Sequence, residues 1–139
     1  MPSACRARRA RGLAPRLLAA DRDGAEVGGP TILTTLLPGY ACIIPDDPPD
    51  FAGQLGRVLA RLHAHAAGPG LPDVLTVPTP VTDPVFDGLH DAWGQLAAAP
   101  RVLTHYDFWS GNTLWLDGRL SGVVDWSGAG LAPRGFDLS

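Results

Sequence analysis

The sequence predicts an α+β fold, and three features of its pattern carry that expectation. Two strand-length apolar runs lie near the N-terminus, two helix-period stripes occupy the middle, and strand signals return after residue 100 around an Asp-Gly turn. The 139 residues suffice for one ordinary domain with a modest core.

The first runs are Pro15–Ala20 and Pro30–Leu37, joined by the turn-rich stretch Asp21–Gly29, and they read as a hairpin. Pro38-Gly39 breaks the second strand, and a loop from Ile44 to Pro49 leads into a helix. Asp47 suits its N-cap, Pro48 its first turn, and Asp50 complements the positive helix end. Phe51, Leu55, Val58, Leu59 and Leu62 then recur on one face as far as about Ala67, with Gly68 closing the helix. His63 and His65 lie two apart and point in different directions, so a core or surface role fits them better than metal binding. Residues 68–84 carry many Pro and Gly breakers and read as a loop. A second helix starts with Asp83 and Pro84, carries the stripe Phe86, Leu89, Trp93 and Leu96, and ends at Pro100. Strands are predicted at Val102–Thr104, Thr113–Leu116 and Leu120–Trp126, the last two forming a hairpin over Asp117-Gly118.

Composition excludes several function classes. Net charge is −3, and the only basic cluster is the four arginines of residues 1–11, so a nucleic-acid footprint is absent. No run of eighteen apolar residues and no signal-peptide core occurs, which makes the cytoplasm the expected location and a membrane no expected partner. Cys5 and Cys42 form neither a CxxC motif nor a disulfide framework. All eleven basic residues are arginine, Glu26 is the only glutamate, and any mechanism that needs a lysine cannot be completed by these residues.

The chemistry concentrates after residue 104. His105-Tyr-Asp107-Phe-Trp-Ser-Gly-Asn112 is a loop with an acid and an amide five residues apart, and Asp125 leaves the second arm of the following hairpin. Folding over Asp117-Gly118 is expected to bring the hairpin's outer ends, Asn112 and Asp125, side by side. An amide oxygen with a carboxylate suits Mg²⁺, which takes its other ligands from phosphate and water. Asp107 would face the same cleft, where an aspartate near an acceptor hydroxyl orients it and takes its proton.

The ordered set H-x-D-x-x-x-x-N, V-V-D-W and Arg134-Gly-Phe-Asp137-Leu resembles the aminoglycoside phosphotransferase and choline kinase family, which has the protein-kinase fold. The resemblance implies a kinase-like catalytic (C-terminal) lobe with only the last strands of the N-terminal lobe. It implies ATP and Mg²⁺ as cofactors and a small-molecule hydroxyl as acceptor. Asp107 then matches the catalytic aspartate and Asn112 and Asp125 the metal pair. Asp137 matches a carboxylate that braces the loop, with His105 a structural anchor. Thr34, Thr35 and Leu37 fall at the hinge that meets adenine. Many relatives carry glycine at the position of Tyr106, and a bulky aromatic there is expected to need ordinary backbone angles.

The domain reading is an Arg-rich arm at 1–12, a remnant hairpin and hinge at 13–39, and an incomplete catalytic lobe at 40–139. The Gly-rich phosphate loop and lysine of such kinases have no counterpart in the sequence, so truncation at both ends and an inactive fragment are expected. Two other classes stand beside the phosphotransferase: a non-catalytic nucleotide- and metal-binding relic, and a metal-dependent hydrolase using His105, Asp107 and Asp125. Asp83, Asp87 and Asp91 recur along one helix face. They are a solvated acidic face or a site for a cationic acceptor such as an aminoglycoside.

Overall fold

The computed structural model describes residues 12–66, 68, 70–75 and 87–138, with the side chains of 89–91 outside the description. The Arg-rich segment up to Arg11, the helix start at Asp83 and Pro84, and Phe86 therefore lie outside the described residues. The chain mixes helix and strand and divides into two units. One comprises the described residues up to Asp46 with Trp109–Val124, the other Asp47–Phe108 with the described residues from Asp125 onward.

In the first unit, β1 (Leu17–Asp21) pairs antiparallel with β2 (Thr31–Thr34). Both strands are shorter or shifted relative to the predicted runs, because the flanking prolines lack the N–H a ladder needs. Beyond the strands the pairing continues in another form: Thr35 N–H donates to the Arg16 carbonyl and Arg16 N–H to Thr35 Oγ1, each at 2.9 Å. The connecting loop is held by Asp21, whose carboxylate accepts the N–H groups of Ala25, Glu26 and Val27 at 3.0, 2.9 and 3.1 Å. The ribbon's apolar side chains are open to solvent, with Ile32 68% and Leu36 96% exposed. An apolar ribbon of this kind favours association.

The Asp21 clasp carries a pH prediction. The backbone N–H of Glu26 is the largest cause holding this carboxyl below its ordinary value, with smaller help from Val27, Ala25 and Gly24. A group lowered in the folded state stabilises the loop above about pH 4 and loses that contribution as pH falls through its own lowered pKa. Amide exchange at Ala25, Glu26 and Val27 should therefore lose protection on acidification, and Asp21→Asn should remove the pH step. Protection that is independent of pH in the wild type would contradict this account.

A second sheet of the first unit has the order β3-β5-β6, with β3 at Tyr40–Ala41, β5 at Thr113–Leu116 and β6 at Arg119–Val123. Strand β3 falls between the break at Pro38-Gly39 and the loop predicted from Ile44, where no element was expected; two residues are too short to show a period. The predicted turn forms, with Asp117 and Gly118 both left-handed at φ 51° and 71°, as a two-residue hairpin linkage requires. Among the described residues Leu37 and Val123 are the buried apolar residues of this unit, and Leu37 lies so close over Gly122 that a Cβ at 122 would force its side chain to shift. Thr113 is buried with its hydroxyl donated to the Ser110 carbonyl at 2.9 Å, and it accepts Trp115 Nε1–H at 3.0 Å. Strand β6 stops at Val123, not at Trp126 as expected, and Asp125 two residues on has φ 60°, a conformation that no strand continues.

The second unit begins with α1 (Pro48–His63). Asp47 caps it, accepting the Asp50 N–H at 3.0 Å, a contact worth about 1 kcal/mol. Phe51, Leu55, Val58 and Leu62 are half-buried and Leu59 is buried, matching the predicted stripe. The helix ends four residues before Ala67, where the His65 N–H turns to the Leu62 carbonyl three residues back and the last turn tightens. Helix α2 (Asp87–Ala98) ends ahead of Pro100 as expected.

Strand β4 (Val102–Thr104) pairs antiparallel with β7 (Gly130–Ala132), and a 3-10 turn at Arg134–Asp137 follows. Three residues of alanine, glycine and leucine gave no strand signal, so β7 was not legible in the sequence. Arg101 ties this unit together: its Nε donates to Asp73 Oδ2 at 3.0 Å and its Nη1 to the Ala99 carbonyl at 2.9 Å. That Arg101 hydrogen bond, with the Leu75 N–H, holds the Asp73 carboxyl below its ordinary value. Asp73 in turn bridges Leu131 of β7. No helix among the described residues is long and apolar enough to cross a membrane.

Candidate active site

Asp137 is the centre of the second unit's polar core. Its side chain is fully buried at the end of the 3-10 turn, and it meets three partners. Oδ1 accepts the Tyr106 N–H at 2.8 Å, while Oδ2 accepts the His105 N–H at 3.1 Å and lies 2.9 Å from His63 Nε2. A carboxylate only accepts, so the proton of the last bond sits on His63. A buried carboxylate is tolerated only when its oxygens are satisfied in this way.

These bonds shape the loop that carries Asp107. His105 is fully buried, edge-on to Trp126 with ring centres 4.6 Å apart and to Phe108 at 6.0 Å. Tyr106 has φ 74°, against the expectation that an aromatic at this position takes ordinary angles. The Asp137 carboxylate gripping two successive N–H groups holds the turn left-handed, at a cost on the order of 1 kcal/mol or more. The ring of Tyr106 packs beside Phe136 at 6.0 Å and 30°. Asp107 follows, exposed to solvent.

Asp125 is also exposed and also left-handed, and its Oδ1 accepts the Ser127 hydroxyl at 2.8 Å. Backbone strain of this kind in a non-glycine residue concentrates at functional positions. Asn112 belongs to the first unit and closes the 3-10 turn Ser110–Asn112. Its carbonyl accepts the Val124 N–H at 2.9 Å, so hairpin pairing reaches the residue before Asp125. Thr34 ends β2, the Thr35 N–H is donated to Arg16, and the Leu37 side chain is buried. Asp87 opens α2 and is exposed; Asp83 and the Asp91 side chain lie outside the described residues. Among the described residues no three His, Cys, Asp or Glu side chains gather as a group that could hold a metal ion.

The model of the phosphotransferase enzyme family, APH, matches residues 4–139. The chain belongs to this family. A curated relative is the homoserine kinase of Azorhizobium caulinodans, 33% identical over 124 residues, covering 73% of this chain and 37% of that protein. The chain thus spans little more than a third of the length of the curated relative that it matches.

The core-or-surface role expected of His63 is met in this polar core, but its partner Asp137 was not read from the sequence. That partner lies 74 residues away. The available signal was the place of His63 one residue after Leu62, at the end of the apolar stripe.

Proposed function

We propose that this phosphotransferase chain carries the catalytic part of an ATP-dependent transfer of a phosphoryl group to a hydroxyl of a small molecule. The observation that carries the reading is the loop held by Asp137, which presents Asp107 on a fixed, strained turn within a chain of this family. Asp107 orients the acceptor hydroxyl and receives its proton as the new P–O bond forms. Phosphoryl transfer asks the protein mainly for positioning, and a carboxylate on a mobile loop would supply little of it.

Asn112 and Asp125 offer an amide oxygen and a carboxylate, a hard donor set that fits Mg²⁺. When bound, the ion would neutralise charge on the nucleotide's phosphates. The Ser127 hydroxyl orients the Asp125 carboxylate for this task. Thr34, Thr35 and Leu37 are proposed to border the adenine. His105 anchors the loop through Trp126 and Phe108.

The relative's name supports a hydroxy-amino-acid acceptor of the homoserine type. The acidic positions Asp87 and Asp91 keep a cationic acceptor in view. Because these 139 residues contain no lysine, the phosphate grip of such kinases must come from elsewhere, and purified 139-residue protein is expected to show no transfer from ATP. Turnover that disappears in Asp107→Asn would refute that expectation.

The test of the reading is nucleotide binding by calorimetry with and without Mg²⁺. Asp125→Ala should abolish the metal-dependent part while leaving the fold intact. Equal Mg²⁺ dependence in wild type and variant would remove the assigned metal pair.

A further inference from the structure

Asp137 meets its donors from two directions. The His105 and Tyr106 N–H groups belong to the loop that carries Asp107, whereas His63 reaches in from the last turn of α1, 74 residues away in sequence. The His63 side chain is 9% exposed and that of Asp137 not at all, so solvent does not replace the bond between them if it is lost. A carboxylate offers roughly four acceptor positions, and without His63 only the two loop N–H groups would occupy them. A buried carboxylate left in that state turns toward water and lets the loop go.

The loop it grips is under strain. Tyr106 has φ 74°, where a side chain is unfavourable, and the residue is 51% exposed, so packing beside Phe136 and Gly128 offsets only part of the cost. Released from Asp137, Tyr106 is free to return to a negative φ, and Asp107, the next residue, moves with it. A glycine at this position would have no such preference.

We propose that His63 is a positioning residue for Asp107. It locks the Asp137 carboxylate, the carboxylate holds Tyr106 left-handed, and the loop so held presents Asp107 to the acceptor hydroxyl. The side chain at 106 builds this dependence into the chain, because a glycine would keep the turn unaided. The inference rests on the phosphotransferase reading and adds to its site a residue of a distant helix.

The test reads loop geometry by NMR in the full 139-residue protein, which requires no turnover. A left-handed residue gives a strong Overhauser signal between its own amide and α protons, which lie closer together than at negative φ. His63→Ala should lose that signal at Tyr106, together with amide-exchange protection at His105 and Tyr106. His63→Gln, whose side-chain amide donates from nearly the same place as Nε2, should restore both. The Asp107 amide and α-carbon resonances should shift with His63→Ala in the wild-type background and stay in place in the Tyr106→Gly background.

Persistence of the strong Tyr106 signal in His63→Ala, no repair by His63→Gln, or an equal shift of Asp107 in the Tyr106→Gly background would each overturn the proposal. Amide signals of α1 report folding. If His63→Ala unfolds the unit, His63→Leu, which fills the space without a donor, takes its place; unfolding in both would make His63 a structural residue only and overturn the assignment as well. Mg²⁺-dependent nucleotide binding by the wild type reports separately. Its absence sinks the phosphotransferase reading whatever the loop does, and its presence with a loop indifferent to His63 sinks this inference alone.

Discussion

Replacing Asp137 by alanine is expected to lower the stability of the second unit by about 3 kcal/mol or more, because it strips the acceptor from three donors at about 1 kcal/mol or more each. The carboxylate is fully buried and serves the His105 N–H, the Tyr106 N–H and His63 Nε2 at once. Its removal leaves the buried His105 N–H, the half-buried Tyr106 N–H and a histidine without their acceptor. Denaturant unfolding measures the loss, and an unchanged midpoint would show that the three bonds contribute nothing net. A double-mutant cycle with Tyr106→Gly separates the two roles of Asp137. Part of its binding energy holds Tyr106 left-handed, and glycine needs no such restraint. The Asp137→Ala penalty should therefore be smaller in the Tyr106→Gly background.

The second large effect is on chemistry. In a chimera carrying these residues in place of the aligned segment of the Azorhizobium caulinodans homoserine kinase, Asp107→Asn should lower phosphoryl transfer by roughly 10²- to 10⁴-fold. Nucleotide affinity should stay the same. Asparagine retains the shape and can still accept a hydrogen bond from the acceptor hydroxyl, but it cannot take the proton. A loss confined to KM would make Asp107 a binding group, and full activity would remove it from the mechanism. Asp107 is exposed, so the substitution should leave stability nearly unchanged, in contrast to Asp137→Ala.

These two aspartates show how differently the sequence revealed its parts. The proposal for Asp107 rests on local spacing, an acid five residues before an amide and ahead of an Asp-Gly hairpin. The α1 cap was legible for the same reason, since Asp47, Pro48 and Asp50 act within one turn of each other. Strand β7 was not, because three residues carry no period and its pairing with β4 spans some thirty positions. The end of β6 was misplaced for a related reason. A left-handed aspartate leaves no mark in a run of Gly, Val and Trp that otherwise reads as strand.

What the sequence by itself determined is the α+β class, the predicted hairpins, the stripe of α1 and the phosphotransferase motif set. Each depends on residues close together in the chain, where propensity and periodicity act. Only the tertiary structure decided that His63 and Asp137 are joined by a hydrogen bond across 74 residues, and that Tyr106 is bent left-handed against Phe136 and Gly128. Those features arise from burial. A carboxylate withdrawn from water must find donors wherever the fold supplies them, and the donors it finds set the backbone of the loop beside it.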